Sequence, residues 1–222
     1  MSLIQHNLRN FLHHETSRYL SQQVGLSHPI FLSTLDTAFA FLPRLVERAD
    51  TFNYYALANI FTRNGRETNT PEKIISTIQL GQRHEAITDA RNLLNILLRD
   101  EQEYFHRLIS EKYAINMKQA EQVVFIAAVF VNVILGQLMI NNKMNMRAIT
   151  RAIKAEANDL NEKMSADMRE LTRKLSSGNT AIDESKVFRG ERKNNNMLYA
   201  GLFAGLIIIL SVIFKACTGT MH

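Results

Sequence analysis

Apolar residues recur at three- and four-residue spacing in segment after segment, and no stretch alternates apolar and polar positions over the length of a strand. Helix start and stop signals divide the pattern. One amphipathic helix is expected over Leu3 to Val24, stopped by Gly25. Ser27 then caps a second, with Pro29 in its first turn, running to about Arg48. A third is expected from Asn53 to Arg63, ended by the polar stretch "RNGRETN", and Thr70 with Pro71 opens a fourth that runs to Leu80. Two more follow, near Glu85 to Arg99 and Glu101 to Tyr113. Asn116 and Gln119 are spaced as a capping box ahead of a long apolar helix, and Asn145 opens the next. The pattern predicts an all-α fold, a helical bundle of seven or eight helices over residues 1–145.

Two segments are apolar on every side. The second, Met197 to Phe214, carries no charge and holds eleven Leu, Ile, Val or Phe residues, worth about −3 to −7 kcal/mol for membrane insertion. As a helix it covers about 27 Å, close to the hydrocarbon thickness of a bilayer. Lys186, Arg189, Arg192 and Lys193 crowd its N-terminal side. The positive-inside bias then keeps the body cytoplasmic and sends a short tail, residues 218–222, to the far side of the plasma (inner) membrane. The expectation is a tail-anchored, single-pass protein with its transmembrane helix over residues 197–217. Tyr199 sits where an interfacial aromatic belongs, and Gly201 with Gly205 forms a G-x-x-x-G suited to close helix pairing.

The earlier apolar run, Val123 to Ile140, has a similar length but is interrupted by Asn132 and Gln137. Were it also to span, residues 141–196, with twelve Lys or Arg against eight Asp or Glu, would become the connecting segment. Either the first 120 residues would then need export, or the charge rule would fail. The run is expected instead to be a central helix enclosed by its neighbours.

The chain also matches itself. A shift of 89 residues sets Leu20 on Ile109, Leu35 on Val124, Ala38 on Ala127, Phe41 on Phe130 and Leu45 on Ile134, with Ser27 meeting Asn116. This predicts an internal two-fold repeat around the apolar central helix, each half a helix, a tight turn and a longer apolar helix. The stretch "LLNILLRDEQEYFHRLISEKYAINMKQAEQVVFIAAVFVNVILGQLMINNKMNMRAI", with Leu135-Gly136 closing the apolar helix and "VGLSHPI" echoing the turn, resembles the bacterial YidB-like helical family of unknown function. That resemblance implies a helical bacterial domain over about residues 15–155 and brings no catalytic residues.

From Ile149 the apolar positions are Ile149, Ile153, Ala157, Leu160, Met164, Met168, Leu171 and Leu175, an eleven-residue periodicity. This predicts an amphipathic stalk helix over 146–176 whose stripe, Leu160, Met164, Met168, Leu171 and Leu175, needs a partner. Folding back on its own domain and self-association into a homo-oligomer both satisfy it. Residues 177–196 read as a polar, basic linker.

Composition adds little to this picture. Net charge is +5, the lone Cys217 excludes an internal disulfide, and the first twenty residues mix polar groups into every turn, unlike a signal peptide. His13, His14 and Glu15 lack the spacing for metal chelation, His84, His28 and His106 stand alone, and Asp100, Glu101 and Glu103 read as a solvated helix junction. There is no phosphate loop, no nucleophile elbow and no basic-aromatic patch for nucleic acid. Neither a cofactor nor enzymatic activity is expected. The sequence therefore points to a scaffold or protein-binding module held on the lipid bilayer, with an unknown protein partner. The alternative is a membrane-perturbing effector whose helix 123–140 inserts.

Overall fold

The computed structural model describes residues 3–49, 51–67, 70, 73–76 and 85–177, all within the first of two compact units, Met1–Ala181. The transmembrane segment 197–217, the linker beyond Ser177, the basic cluster Lys186 to Lys193 and the tail lie outside the described residues. Among the described residues every regular element is helical, with about ten helices: α1 Leu3–Phe11, α2 His14–Val24, α3 His28–Arg48, α4 Thr51–Glu67, α5 Glu85–Leu98, α6 Gln102–Tyr113, α7 Met117–Asn141, α8 Met146–Ala155, α9 Ala157–Glu162 and α10 Ala166–Ser177. A 3-10 turn, Arg99–Glu101, joins α5 to α6.

The count exceeds the expected seven or eight because two expected helices are broken. The first helix divides at Leu12 and His13, where His13 is extended. The buried positions explain the break. In α1 they are Ile4, Leu8 and Phe11, and in α2 they are Thr16, Ser17, Leu20, Ser21 and Val24. At about 100° per residue these two sets fall on opposite sides of one straight helix, so only a bend puts both inside. The segment after Asn145 is likewise three helices. Ser165 caps the last of them, receiving the Arg169 amide on its carbonyl and the Met168 amide on its hydroxyl, both at hydrogen-bond distance.

Helix α7 lies at the centre, with α3, α4, α5 and α6 packed against it. It enters through the expected capping box. The Gln119 amide donates to the Asn116 side chain at 2.9 Å, and the Asn116 amide donates to the Gln119 side chain at 3.1 Å. Both α3 and α7 are long and apolar enough to cross a membrane by length and composition, and 72% and 78% of their most apolar stretches are buried inside the protein. Protein, not solvent, surrounds them here.

Helices α4 and α7 meet backbone to backbone. A Cβ built on Gly136 would stand 2.0 Å from the Phe61 carbonyl oxygen, and one on Gly65 would stand 2.4 Å from the Gly136 carbonyl carbon. Gly65 therefore belongs to a helix, where the sequence suggested a loop, because only a residue without a side chain permits this approach.

Two turns share one geometry 89 residues apart. After α2, Gly25 is left-handed at φ 71°, and the Leu26 amide donates to the Ser21 carbonyl at 3.0 Å. After α6, Ala114 is left-handed at φ 51°, and the Ile115 amide donates to the Ser110 carbonyl at 3.1 Å. Helix α4 packs on α7 as α8 packs on α3, and α6 packs on α7 as α2 packs on α3.

Candidate functional site

A groove of about 530 Å³ lies where α5, α6 and the start of α7 meet. Its α5 wall presents Ile87, Arg91, Leu94 and Asn95, spaced i, i+4, i+7 and i+8 on one face. The α7 wall presents Lys118, Glu121, Gln122 and Phe125 with the corresponding helical spacing, and α6 closes the end with Gln102 and His106. Ile87 and Leu94 are buried and Phe125 is half-buried, so the floor is apolar. Arg91, Lys118 and Glu121 are exposed on the rim.

His106 is the distinctive member. Its Nε2 is shut off from solvent yet has no hydrogen-bond partner. Burial holds its pKa below the ordinary histidine value, with the nearby carboxylates Glu121 and Glu103 acting in the opposite direction. The unused Nε2 is thus enclosed by protein, in a ring whose charged form burial disfavours. Gln102 is engaged elsewhere, donating to Asn95 at 2.7 Å.

Two other polar clusters lie outside the groove lining. Fully buried Asp89 accepts from Arg63 Nε at 2.8 Å and from Asn64 Nδ2 at 2.6 Å, with a second Arg63 contact completing a fork. That hydrogen bond raises the Arg63 pKa. Elsewhere, Thr37 on α3 meets the Tyr113 hydroxyl, and Lys112 donates to the Lys163 carbonyl at 2.7 Å. Lys163 pairs with Asp36, Arg44 Nε donates to Asn161 at 3.2 Å, and Lys174 reaches Glu101 at 2.6 Å. These contacts fasten α9 and α10 to the rest of the unit.

The stripe expected to seek a partner is accounted for within the chain. Leu160, Met164, Met168 and Leu171 are all buried, and α8, α9 and α10 lie along α3; Leu175 is half-buried. This is the folded-back arrangement, which leaves those four residues no exposed seam for self-association. Met197, Tyr199, Gly201, Gly205 and Phe214 lie outside the described residues, as does the basic cluster. Among the described residues no group of three or more His, Cys, Asp or Glu is placed to hold a metal ion.

The groove went unnoticed in the sequence because His106 has no sequence neighbour that marks it. The available signal was the polar breach at Lys118, Glu121 and Gln122 at the head of an otherwise apolar helix. No family model matches the chain, no curated protein matches it, and no solved structure matches its fold.

Proposed function

We propose that the chain is a tail-anchored membrane protein whose helical body, a bundle built from two equivalent halves, serves as a non-enzymatic scaffold or protein-binding module on the cytoplasmic face of the inner membrane. The observation that carries this reading is the uncharged run from Met197 to Phe214 behind a basic flank. It is supported by the burial of α7 among its neighbours, which accounts for the other strongly apolar run without lipid. The repeat is supported by the matched turns at Gly25 and Ala114 and by the exchange of packing partners between α3 and α7. The likeness to the YidB-like family rests on the sequence pattern quoted above.

Deleting residues 197–222 is expected to release a soluble helical protein from membranes. Sedimentation of the truncated chain with membranes, without aggregation, would overturn the anchor. A second reading, insertion of α7 into the bilayer, draws on one observation: both side-chain amide atoms of fully buried Asn132 lack a partner. Dye release from liposomes by the full-length protein would favour it over the scaffold.

A further inference from the structure

From the turn after α7 to the end of α8 the chain reads "NKMNMRAITRAIKA", residues 142–155, with four Lys or Arg and no Asp or Glu. The helix sorts these residues by side. Met146, Ile149 and Ile153 are buried, and α8 packs on α3, α7 and α9. Arg147, Arg151 and Lys154, spaced i, i+4 and i+7, are exposed along about 10 Å of the helix. Lys143, exposed in the turn that leads into α8, adds a fourth cation. Among the described residues none of the four forms an ion pair, whereas Arg44, Arg63, Lys163 and Lys174 each face a carboxylate. The acids that follow in sequence are Glu156, Asp159 and Glu162, and Glu156 accepts from the Ile4 amide at 3.3 Å.

The bundle does not require this stripe. Under the proposed two-fold repeat α4 takes the place of α8, and its matching positions are Tyr54, Ala58, Thr62 and Gly65, none charged and none exposed. Like charges held on one side of a helix repel one another, and an anionic surface laid against them turns that cost into attraction. A straight row of this kind encloses nothing. A compact anion would touch one or two of the side chains, while a plane of phosphates engages all four.

We propose that the face of α8 formed by Lys143, Arg147, Arg151 and Lys154 docks on the anionic phospholipid headgroups of the bilayer and lays the helical body down on the membrane. This rests on the tail-anchor reading for its tether, and adds a second contact that is electrostatic and inserts nothing into lipid. Each Lys or Arg brought to an anionic leaflet contributes about fivefold to binding, so the four together decide between an upright and a docked body.

The test uses the full-length protein with Cys217→Ser and Ala155→Cys, reconstituted in liposomes, with a donor dye at position 155 and an acceptor dye on the headgroups. Energy transfer is expected to rise when part of the phosphatidylcholine is replaced by phosphatidylglycerol. It should fall back in high salt, where the Debye length is about 3 Å, and in the triple variant Arg147→Gln, Arg151→Gln, Lys154→Gln. Circular dichroism verifies that the triple variant remains folded. No rise with phosphatidylglycerol, or a rise that survives in the folded triple variant, overturns the proposal. Flotation of the liposomes in high salt reads the anchor separately. Protein that floats there is anchored whatever the dye reports. Protein that does not float lacks the anchor, and docking then stands only if low-salt flotation with phosphatidylglycerol liposomes is lost in the triple variant. A gel shift of duplex RNA that the triple variant abolishes, with transfer indifferent to phosphatidylglycerol, assigns the stripe to nucleic acid and overturns docking on lipid.

Discussion

Under the proposed two-fold repeat, the two halves of the body share a turn geometry and close by different means. In the second half α7 receives α4 through Gly136 and Gly65, and the backbones touch. In the first half the matching positions on α3 and α8 are Glu47 and Lys154. Glu47 pairs with buried Arg44 on the same helix at 2.6 Å, and neither matched position is a glycine that would permit a backbone contact. The long helices also differ at their weak points. Position 132 of α7 is an asparagine with no hydrogen-bond partner, and its counterpart on α3 is Pro43, which supplies no amide proton. Similar helix order and turn geometry thus tolerate quite different closing chemistry, because the shape is set by turns and apolar faces.

Substitutions at matched positions test this contrast. The largest effect is expected for Gly136→Ala, whose new methyl group collides with the Phe61 carbonyl. About 3 kcal/mol should be lost in thermal melts followed by circular dichroism. Lys154→Ala, at the exposed position matching Gly65, should stay within about 0.5 kcal/mol. Equal losses at the two positions would mean that the halves are not closed differently at all. Next in size, Asn132→Leu removes two unsatisfied buried groups while keeping the branched side-chain skeleton and should raise stability by about 1 to 2 kcal/mol in urea titrations. A loss instead would reveal a hydrogen bond made by that amide.

The smallest effect concerns acid. Burial depresses the His106 pKa in the folded state, so the unfolded chain takes up this proton first as pH falls below about 6.5. The stability linked to a neutral His106 is therefore fully present above that pH and is lost as pH falls toward the folded-state value. His106→Phe should flatten the decline in melting temperature between pH 7.5 and 5.5, whereas Ser17→Ala, at the matching position of the first half, where the hydroxyl lies 2.8 Å from His28 Nε2, should lower the curve without flattening it. Parallel curves for wild type and His106→Phe would place that proton equilibrium elsewhere.

What the sequence revealed and what it hid have separate physical origins. Gly25, Asn116 and Gln119 act on backbone groups within a few residues, so their turn and cap were legible locally; Ser27 takes the N-cap position of α3, but its side chain makes no capping bond. The kink at His13 and the role of Gly65 depend on which side faces a distant helix. Local propensity prolongs the first and breaks the second. Ser165 gave a cap signal that the regular stripe from Ile149 to Leu175 masked, since an even periodicity reads as one helix even when it bends around α3. His106 was invisible for a different reason. Its distinction is an absent partner, which exists only once α5, α6 and α7 have met.

The ties between Lys163 and Asp36, Arg44 and Asn161, and Lys174 and Glu101 also govern how the body responds to force. A pull transmitted along the chain from beyond Ser177 loads α10 first, where Lys174 grips Glu101 at the exposed surface. Because Met168 and Leu171 of α10 are themselves buried, that helix cannot be drawn away from α3 without opening the apolar interior.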